Sequence, residues 1–239
     1  MATEGYAQPE LLVETAWLAA RLDDPNLRIV DCDPIGAYSR AHIKNAIGIP
    51  AHHYIKEPGY AENPRQKPLV APPDTMQALM QEMGIGDDNL VVAYDSNGCL
   101  WSARLWWVLN YYGHSNVKVL NGGWKKWVDE GRPVSIDRPA HPTTTFTPSV
   151  HDDLLCTLDY GRDNIGRADA LYLDVRSDGE WDGSNSRGNQ RVGRIPGAAH
   201  LEWLRLVTPD KYQTIKPAHE LRGLLEAAGA TPDKEIVTY

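Results

Sequence analysis

Three cysteines are the first places to look for covalent chemistry in this chain, because a thiolate is a potent side-chain nucleophile near neutral pH. They are Cys32, Cys99 and Cys156. They are too few and too scattered for a disulfide framework, and no Cys-x-x-Cys or Cys/His spacing suits a metal ion. Cys32 and Cys156 read as partly buried packing residues. Cys99 is the tempting nucleophile, since it lies in the loop Asp95-Ser-Asn-Gly-Cys-Leu-Trp101, four residues past an acid that follows an apolar strand. A thiol without catalytic duty is nevertheless the preferred reading of it. The pair His52-His53 has no third ligand at metal spacing and reads as surface loop, so no metal is expected. Asn121-Gly-Gly123 reads as a turn, and neither a P-loop nor a GxGxxG fingerprint is present.

The elements that must position such groups occur twice. Leu11–Asp33 aligns without a gap on Leu154–Arg176, and Met83–Tyr94 aligns on Ala228–Tyr239 at nearly the same spacing. A period of about 145 residues is far too long for a solenoid and signifies a duplicated domain. In the first copy, strands are expected at Arg28–Asp31, Ala46–Pro50, Asn89–Tyr94 and Val117–Leu120. Helices are expected over Asp74–Met83, with Asp74 as N-cap, over Trp101–Tyr112, and through Trp124 and Trp127. The second copy repeats the order with strands at Ala170–Leu173, Ala198–Leu201 and Glu235–Tyr239 and a helix over Pro217–Ala228. Strands alternating with helices imply a parallel sheet covered on both faces. The expected division is residues 1–135, a Pro- and Thr-rich linker at 136–152, and a second domain at 153–239 whose remaining elements would follow Tyr239. Ligands of parallel sheets gather at the C-terminal ends of the strands. The position directly after the central strand is Asp95 in the first copy, and in the second it is the one after Tyr239.

Composition narrows the function classes. Hydrophobic content of 42% and charged content of 23% are those of a globular domain. A net charge of -8 argues against nucleic-acid binding, while leaving room for a small anion in a locally positive pocket. No apolar run approaches the ~20 residues of a membrane span. The N-terminus has neither the basic nor the apolar region of a secretory signal. With the few scattered cysteines this predicts a cytoplasmic location without membrane partners.

Taken together, Leu173-Asp-Val-Arg-Ser177 with Glu180-Trp181, Gly193-Arg-Ile-Pro-Gly-Ala198, Ser102-Ala-Arg-Leu-Trp-Trp107 and Val119-Leu-Asn-Gly-Gly-Trp124 resemble the tandem rhodanese family, the thiosulfate and 3-mercaptopyruvate sulfurtransferases. The resemblance implies an α/β fold of two rhodanese-like domains, each a parallel sheet flanked by helices. It implies an inactive first domain facing the second domain's site, and a nucleophilic cysteine directly after the strand ending in Val-Thr-Tyr239. That cysteine would open a loop whose inward N–H groups and following helix N-terminus favour a thiolate. It would carry sulfane sulfur as a persulfide between a small-molecule donor and a thiophilic acceptor such as cyanide, without a cofactor.

The same resemblance implies that the strand before Asn121-Gly-Gly123 is an edge strand, and it ranks the remaining residues. Asp95 could fill an anion nest but cannot carry sulfur. Trp101 and Trp203 correspond to pocket aromatics, with ordinary packing weighed equally, and Leu100 goes with Trp101. Asp174 and Arg176 read first as an ion pair or turn clasp and second as substrate contacts. Arg104 is expected to hydrogen-bond loop carbonyls. Arg194 stands where many relatives have His, Glu180 stands where vertebrate relatives have a substrate-binding arginine, and Arg191 lies in the longer loop between them. Arg191 and Arg194 are therefore the best cationic candidates for the donor's anionic group. Two other readings compete: a non-catalytic tandem module that binds a partner or carries sulfur, and a phosphatase on the related fold, which would need a longer loop ending in arginine.

Overall fold

The structure, a computed structural model, describes residues 5–49 and 70–239. His52-His53 and Pro50 lie outside them. The chain divides into two compact units. The larger comprises Gln8–Leu154 with Asp210–Thr214, and the smaller Leu155–Pro209 and Ile215–Tyr239 with residues 5–7. Among the described residues no helix is long and apolar enough to cross a membrane.

The larger unit is built on five parallel strands: β1 (Leu12–Val13), β2 (Leu27–Asp31), β4 (Ala46–Gly48), β5 (Leu90–Tyr94) and β6 (Val117–Leu120), in the spatial order β1-β6-β5-β2-β4. Every residue of β2 and four of five in β5 are buried, as expected for central parallel strands covered on both faces. Helices α1 (Thr15–Ala19), α2 (Ile35–Tyr38), α3 (Pro73–Glu82), α4 (Leu100–Tyr111) and α5 (Gly123–Asp129) complete the α/β frame. Val13, Leu18, Ile29, Val92, Tyr94, Leu120 and Trp127 pack together in its core. A short antiparallel pair, β3 (His42–Ile43) with β7 (Val134–Ser135), lies beside it.

Three details differ from the sequence reading. The strand before Asn121-Gly-Gly123 is not an edge, because β1 adds in register beside it, Val13 opposite Leu120. Two-residue β1 is too short to show periodicity. Helix α3 is capped by Pro72 and starts at Pro73. Proline suits the first helical position, where its missing N–H is no loss, and Asp74 becomes a first-turn acid facing the helix dipole. The segment 136–152, read as a linker, is strapped to the larger unit. Phe146 is 1% exposed, Thr147 gives its N–H and hydroxyl to Asp87, and the N–H groups of Ser149 and His151 reach the carbonyls of Tyr112 and Tyr111.

In the smaller unit, β8 (Ala170–Asp174) lies between β9 (Ala199–His200) and β10 (Glu235–Thr238), all parallel. Helix α6 (Leu158–Asp163) precedes β8, α7 (Asp178–Asp182) lies between β8 and β9, and α8 (Ala218–Ala227) lies between β9 and β10. The registers of the two units agree. Val30 faces Ala93 and Ile47 in one, and Leu173 faces Thr238 and Ala199 in the other. The N–H of Cys32 reaches Tyr94 O at 2.9 Å, and that of Val175 reaches Tyr239 O at 3.1 Å. Cys156 is exposed rather than packed, because it precedes α6 on the outer side of this unit.

One glycine fixes the loop after β5. Gly123 has φ +50°, and a Cβ there would lie 2.0 Å from the Asp95 carbonyl, which accepts the Trp124 N–H at 3.0 Å. Gly123→Ala is expected to destabilise the protein by at least about 2 kcal/mol, from left-handed strain plus the displaced loop. Urea unfolding of the two proteins measures this, and a loss under 0.5 kcal/mol would contradict it.

Candidate active site

Each unit ends its central strands in a clasp built on a buried acid. In the larger unit the Tyr94 hydroxyl donates to Asp31 Oδ2 at 2.6 Å and accepts the Ile43 N–H at 3.0 Å. In the smaller unit Tyr239 takes the Tyr94 position: its hydroxyl accepts the Ile195 N–H at 3.1 Å, and it lies beside Asp174, whose pKa it helps to lower. The two acids differ in their next neighbour. Asp31 Oδ1 accepts the N–H of Asp33, a second acid. Burial, against the Tyr94 hydrogen bond, pushes the Asp31 carboxyl up to about 6. Asp174 instead faces Arg176, whose Nε and Nη2 lie 2.9 and 2.5 Å from its two oxygens. Burial would raise the Asp174 carboxyl, but the Arg176 guanidinium and N–H and the Tyr239 hydroxyl outweigh it and hold the pKa low. Arg176 Nη2 also donates to Gly193 O at 3.0 Å, and its guanidinium lies 5.4 Å over the Tyr239 ring.

The loop after β5 shows what this frame does with an anion. Asp95 turns its carboxylate back into its own loop. Oδ1 accepts the N–H groups of Asn97 and Cys99 at 2.7 and 3.1 Å. Oδ2 accepts those of Trp101 and Ser102 at 2.9 and 2.7 Å, and the Ser102 hydroxyl at 2.8 Å. The last three donors belong to the first turn of α4, so the carboxylate caps a twelve-residue helix where the dipole favours negative charge. Cys99, with φ 68°, shapes the turn. Its thiol is buried, and burial followed by the charge of Asp95 pushes it up to about 12, so it is no nucleophile at neutral pH. Cys32 is buried as well, and burial, then Asp95, raises its thiol well above the ordinary value.

The other sequence candidates fall as follows. Trp101 is half-buried with its N–H on Asp95, Leu100 is exposed, and Arg104 lies 4.9 Å over the Trp107 ring. Trp203 is half-buried and gives its N–H to Val175 O at 3.1 Å. Glu180 closes a capping box at the start of α7, accepting from the Ser177 hydroxyl at 2.7 Å, with Arg187 at 3.4 Å from the same oxygen. Arg191 and Arg194 are exposed. Arg194 lies 4.2 Å over the Trp181 ring and donates to Trp181 O at 3.0 Å. The ring stacks in turn on His200, 4.8 Å away and nearly parallel, and His200 Nε2 is 2.9 Å from Arg176 O. Asp174, Arg176, Trp181, Arg194, Ile195, His200 and Tyr239 thus form one connected cluster. The sequence reading missed Trp181, His200 and Tyr239 as members of it. The repeat contained a signal for Tyr239, which aligns with Tyr94 at the ends of matching strands.

Two parallel α/β units of one register, each closed by an Asp–Tyr clasp beneath the strand ends, define a duplicated sheet domain of a single type. Residues 14–130 match the rhodanese-like domain. Over 250 residues the chain is 33% identical to the sulfur carrier protein TtuD of Thermus thermophilus, spanning 98% of this chain and 84% of that one. It is also 33% identical to a thiosulfate sulfurtransferase of Azotobacter vinelandii, covering 99% and 84%. In structure it resembles SseA of Escherichia coli, described as a 3-mercaptopyruvate sulfotransferase of rhodanese fold. That likeness has a TM-score of 0.82 at 22% identity, over 95% of this chain and 87% of that one. The chain belongs to the rhodanese family.

Removing Arg176 leaves the Asp174 carboxylate, 0% exposed, without its counter-ion. In the wild type the depressed Asp174 pKa contributes stability above the ordinary carboxylate range, and that contribution is lost as pH falls. In Arg176→Ala burial dominates and the pKa rises, so stability is lost as pH climbs. The variant is expected to be about 2–3 kcal/mol less stable at pH 7 and to recover most of the difference by pH 4. Urea melts at the two pH values test this, and a pH-independent difference would exclude the ion-pair account.

Proposed function

We propose that the protein is a sulfurtransferase that moves sulfane sulfur from thiosulfate, or from 3-mercaptopyruvate, to cyanide or another thiophilic acceptor. The nucleophile in this reading is a cysteine at the position after Tyr239, in register with Asp95. The observation that carries the proposal is the inversion of charge between two otherwise matching frames. Asp33, which accepts the Ser96 N–H and hydroxyl at 3.0 Å in the larger unit, is replaced by Arg176 in the smaller. His42 is replaced by Arg194. A nest that holds a carboxylate in one copy suits a thiolate or persulfide in the other, and the surrounding cations suit an anionic donor.

The chemistry follows in two steps. The thiolate attacks the outer sulfur of thiosulfate, the sulfur–sulfur bond breaks, and sulfite leaves with the bonding pair. Cyanide then attacks the outer sulfur of the persulfide, forming thiocyanate and returning the thiolate. No cofactor enters either step, and the partners are the small-molecule donor and acceptor. Neither Cys99 nor Cys32 can substitute, since burial holds both as thiols.

A second reading, a carrier that accepts sulfur and passes it to a protein without multiple turnover, is favoured by the likeness to the carrier from Thermus thermophilus. The natural protein treated with thiosulfate is expected to gain ~32 Da, lose it on adding cyanide, and release thiocyanate in many cycles. Loss of this cycle on replacing the cysteine after Tyr239 with serine completes the assignment. One equivalent of thiocyanate without turnover would favour the carrier. No mass gain would exclude both.

A further inference from the structure

We infer that Arg194 is the residue that grips the anionic end of the sulfur donor and sets its affinity, an assignment that rests on the sulfurtransferase reading above. The two units allow a comparison at one position of one frame. The N–H of Ile43 reaches Tyr94 Oη, and that of Ile195 reaches Tyr239 Oη, so the residues before them, His42 and Arg194, are equivalents. Each lies on the face of an aromatic ring, His42 on Tyr38 with centroids 4.0 Å apart and Arg194 on Trp181 at 4.2 Å. Each bonds the carbonyl of that same aromatic residue, at 2.9 and 3.0 Å.

There the likeness ends. His42 is 0% exposed, and its other nitrogen is taken by Asp137 O at 3.0 Å, so it has nothing left to offer a ligand. Arg194 is exposed, and among the described residues its guanidinium makes one hydrogen bond, from Nη1. A planar fork with donors to spare, held flat on an indole, is suited to bidentate binding of an oxyanion. The platform is itself fixed, since Trp181 stacks on His200.

Two of the neighbouring cations are engaged elsewhere, while Arg191 is exposed like Arg194 but has no aromatic platform among the described contacts. Arg176 is bound to both oxygens of Asp174 and to Gly193 O. Arg187 is paired with Glu180, whose carboxylate also closes the α7 capping box. Between Gly183 and Leu201 the chain has no Asp or Glu to compete for Arg194. The shared chemistry of the ligand is a two-oxygen anionic face, the sulfonate of thiosulfate or the carboxylate of a mercapto-acid.

Steady-state kinetics of the protein with cyanide as acceptor, using thiosulfate and 3-mercaptopyruvate in separate series, test the assignment. In Arg194→Gln the KM for the donor the wild type uses is expected to rise roughly 10- to 100-fold, the span of a lost charge-assisted contact. Thiocyanate release from preformed persulfide should stay within twofold, because that step no longer contains the donor's anion. Arg194→Lys, which keeps the charge and loses the fork, is expected in between, and serves alone if the glutamine variant does not fold. A donor KM within twofold of wild type in the folded variants, or an equal slowing of the cyanide step, overturns the assignment. Absence of thiocyanate from the wild type overturns the function proposed above, and this assignment with it, before any variant is made.

Discussion

Everything at the strand ends hangs on a buried carboxylate at the end of a central strand. Asp31 and Asp174 are 2% and 0% exposed, and neither can be left without partners. Asp31 takes a hydrogen bond from the Tyr94 hydroxyl and Asp174 has Tyr239 beside it, and each of these hydroxyls in turn receives an N–H from the segment leading into the next strand. One acid therefore ties three stretches of chain into a fixed rim. Rigid rims are what catalytic loops need, because a loop can be shaped only if its two ends do not move.

The two rims share geometry and differ in charge. Around Asp31 the next group is Asp33, and burial, against the Tyr94 hydrogen bond, raises the carboxyl to about 6. Around Asp174 the next group is a guanidinium, and the carboxyl is lowered. Duplication thus gave one scaffold two electrostatic characters through a handful of substitutions that leave the hydrogen-bond pattern of the sheet untouched. One copy satisfies its nest with its own side chain. The other sets a guanidinium against its buried acid, where the first has a second carboxyl group.

Much of this was legible in the residues. The strands at β2, β5, β6, β8 and β10 are short apolar runs of the kind that central parallel strands require, and the repeat spacing places them in equivalent positions. The strand β1 is not legible, since two residues carry no period, so nothing in the residues opposes the edge position that the resemblance implies for β6. The segment 136–152 was read as a linker from its prolines and threonines. That composition does give extended backbone, but whether an extended segment stands free or is strapped down depends on partners distant in sequence, here Asp87, Tyr111 and Tyr112. Cys156 illustrates the same limit: its surroundings come from how the chain enters α6, which its neighbours in sequence do not reveal. Glu180 was compared with a substrate-binding arginine, although Ser177-x-x-Glu180 is a capping box legible from spacing alone. In the cluster, the stacking of Trp181 on His200 joins residues whose contact only the sheet register creates.

The uneven burial of the thiols has a practical consequence for anyone who labels this protein. Cys32 and Cys99 are sealed inside the larger unit, whereas Cys156 faces solvent. A thiol reagent added to the native protein will therefore modify a bystander on the outer surface, whatever it does at the reactive centre. Alkylation counts taken alone overstate the number of functional sulfurs. The two sealed thiols, in compensation, become reporters of global opening, since they can be labelled only when the core that encloses them comes apart.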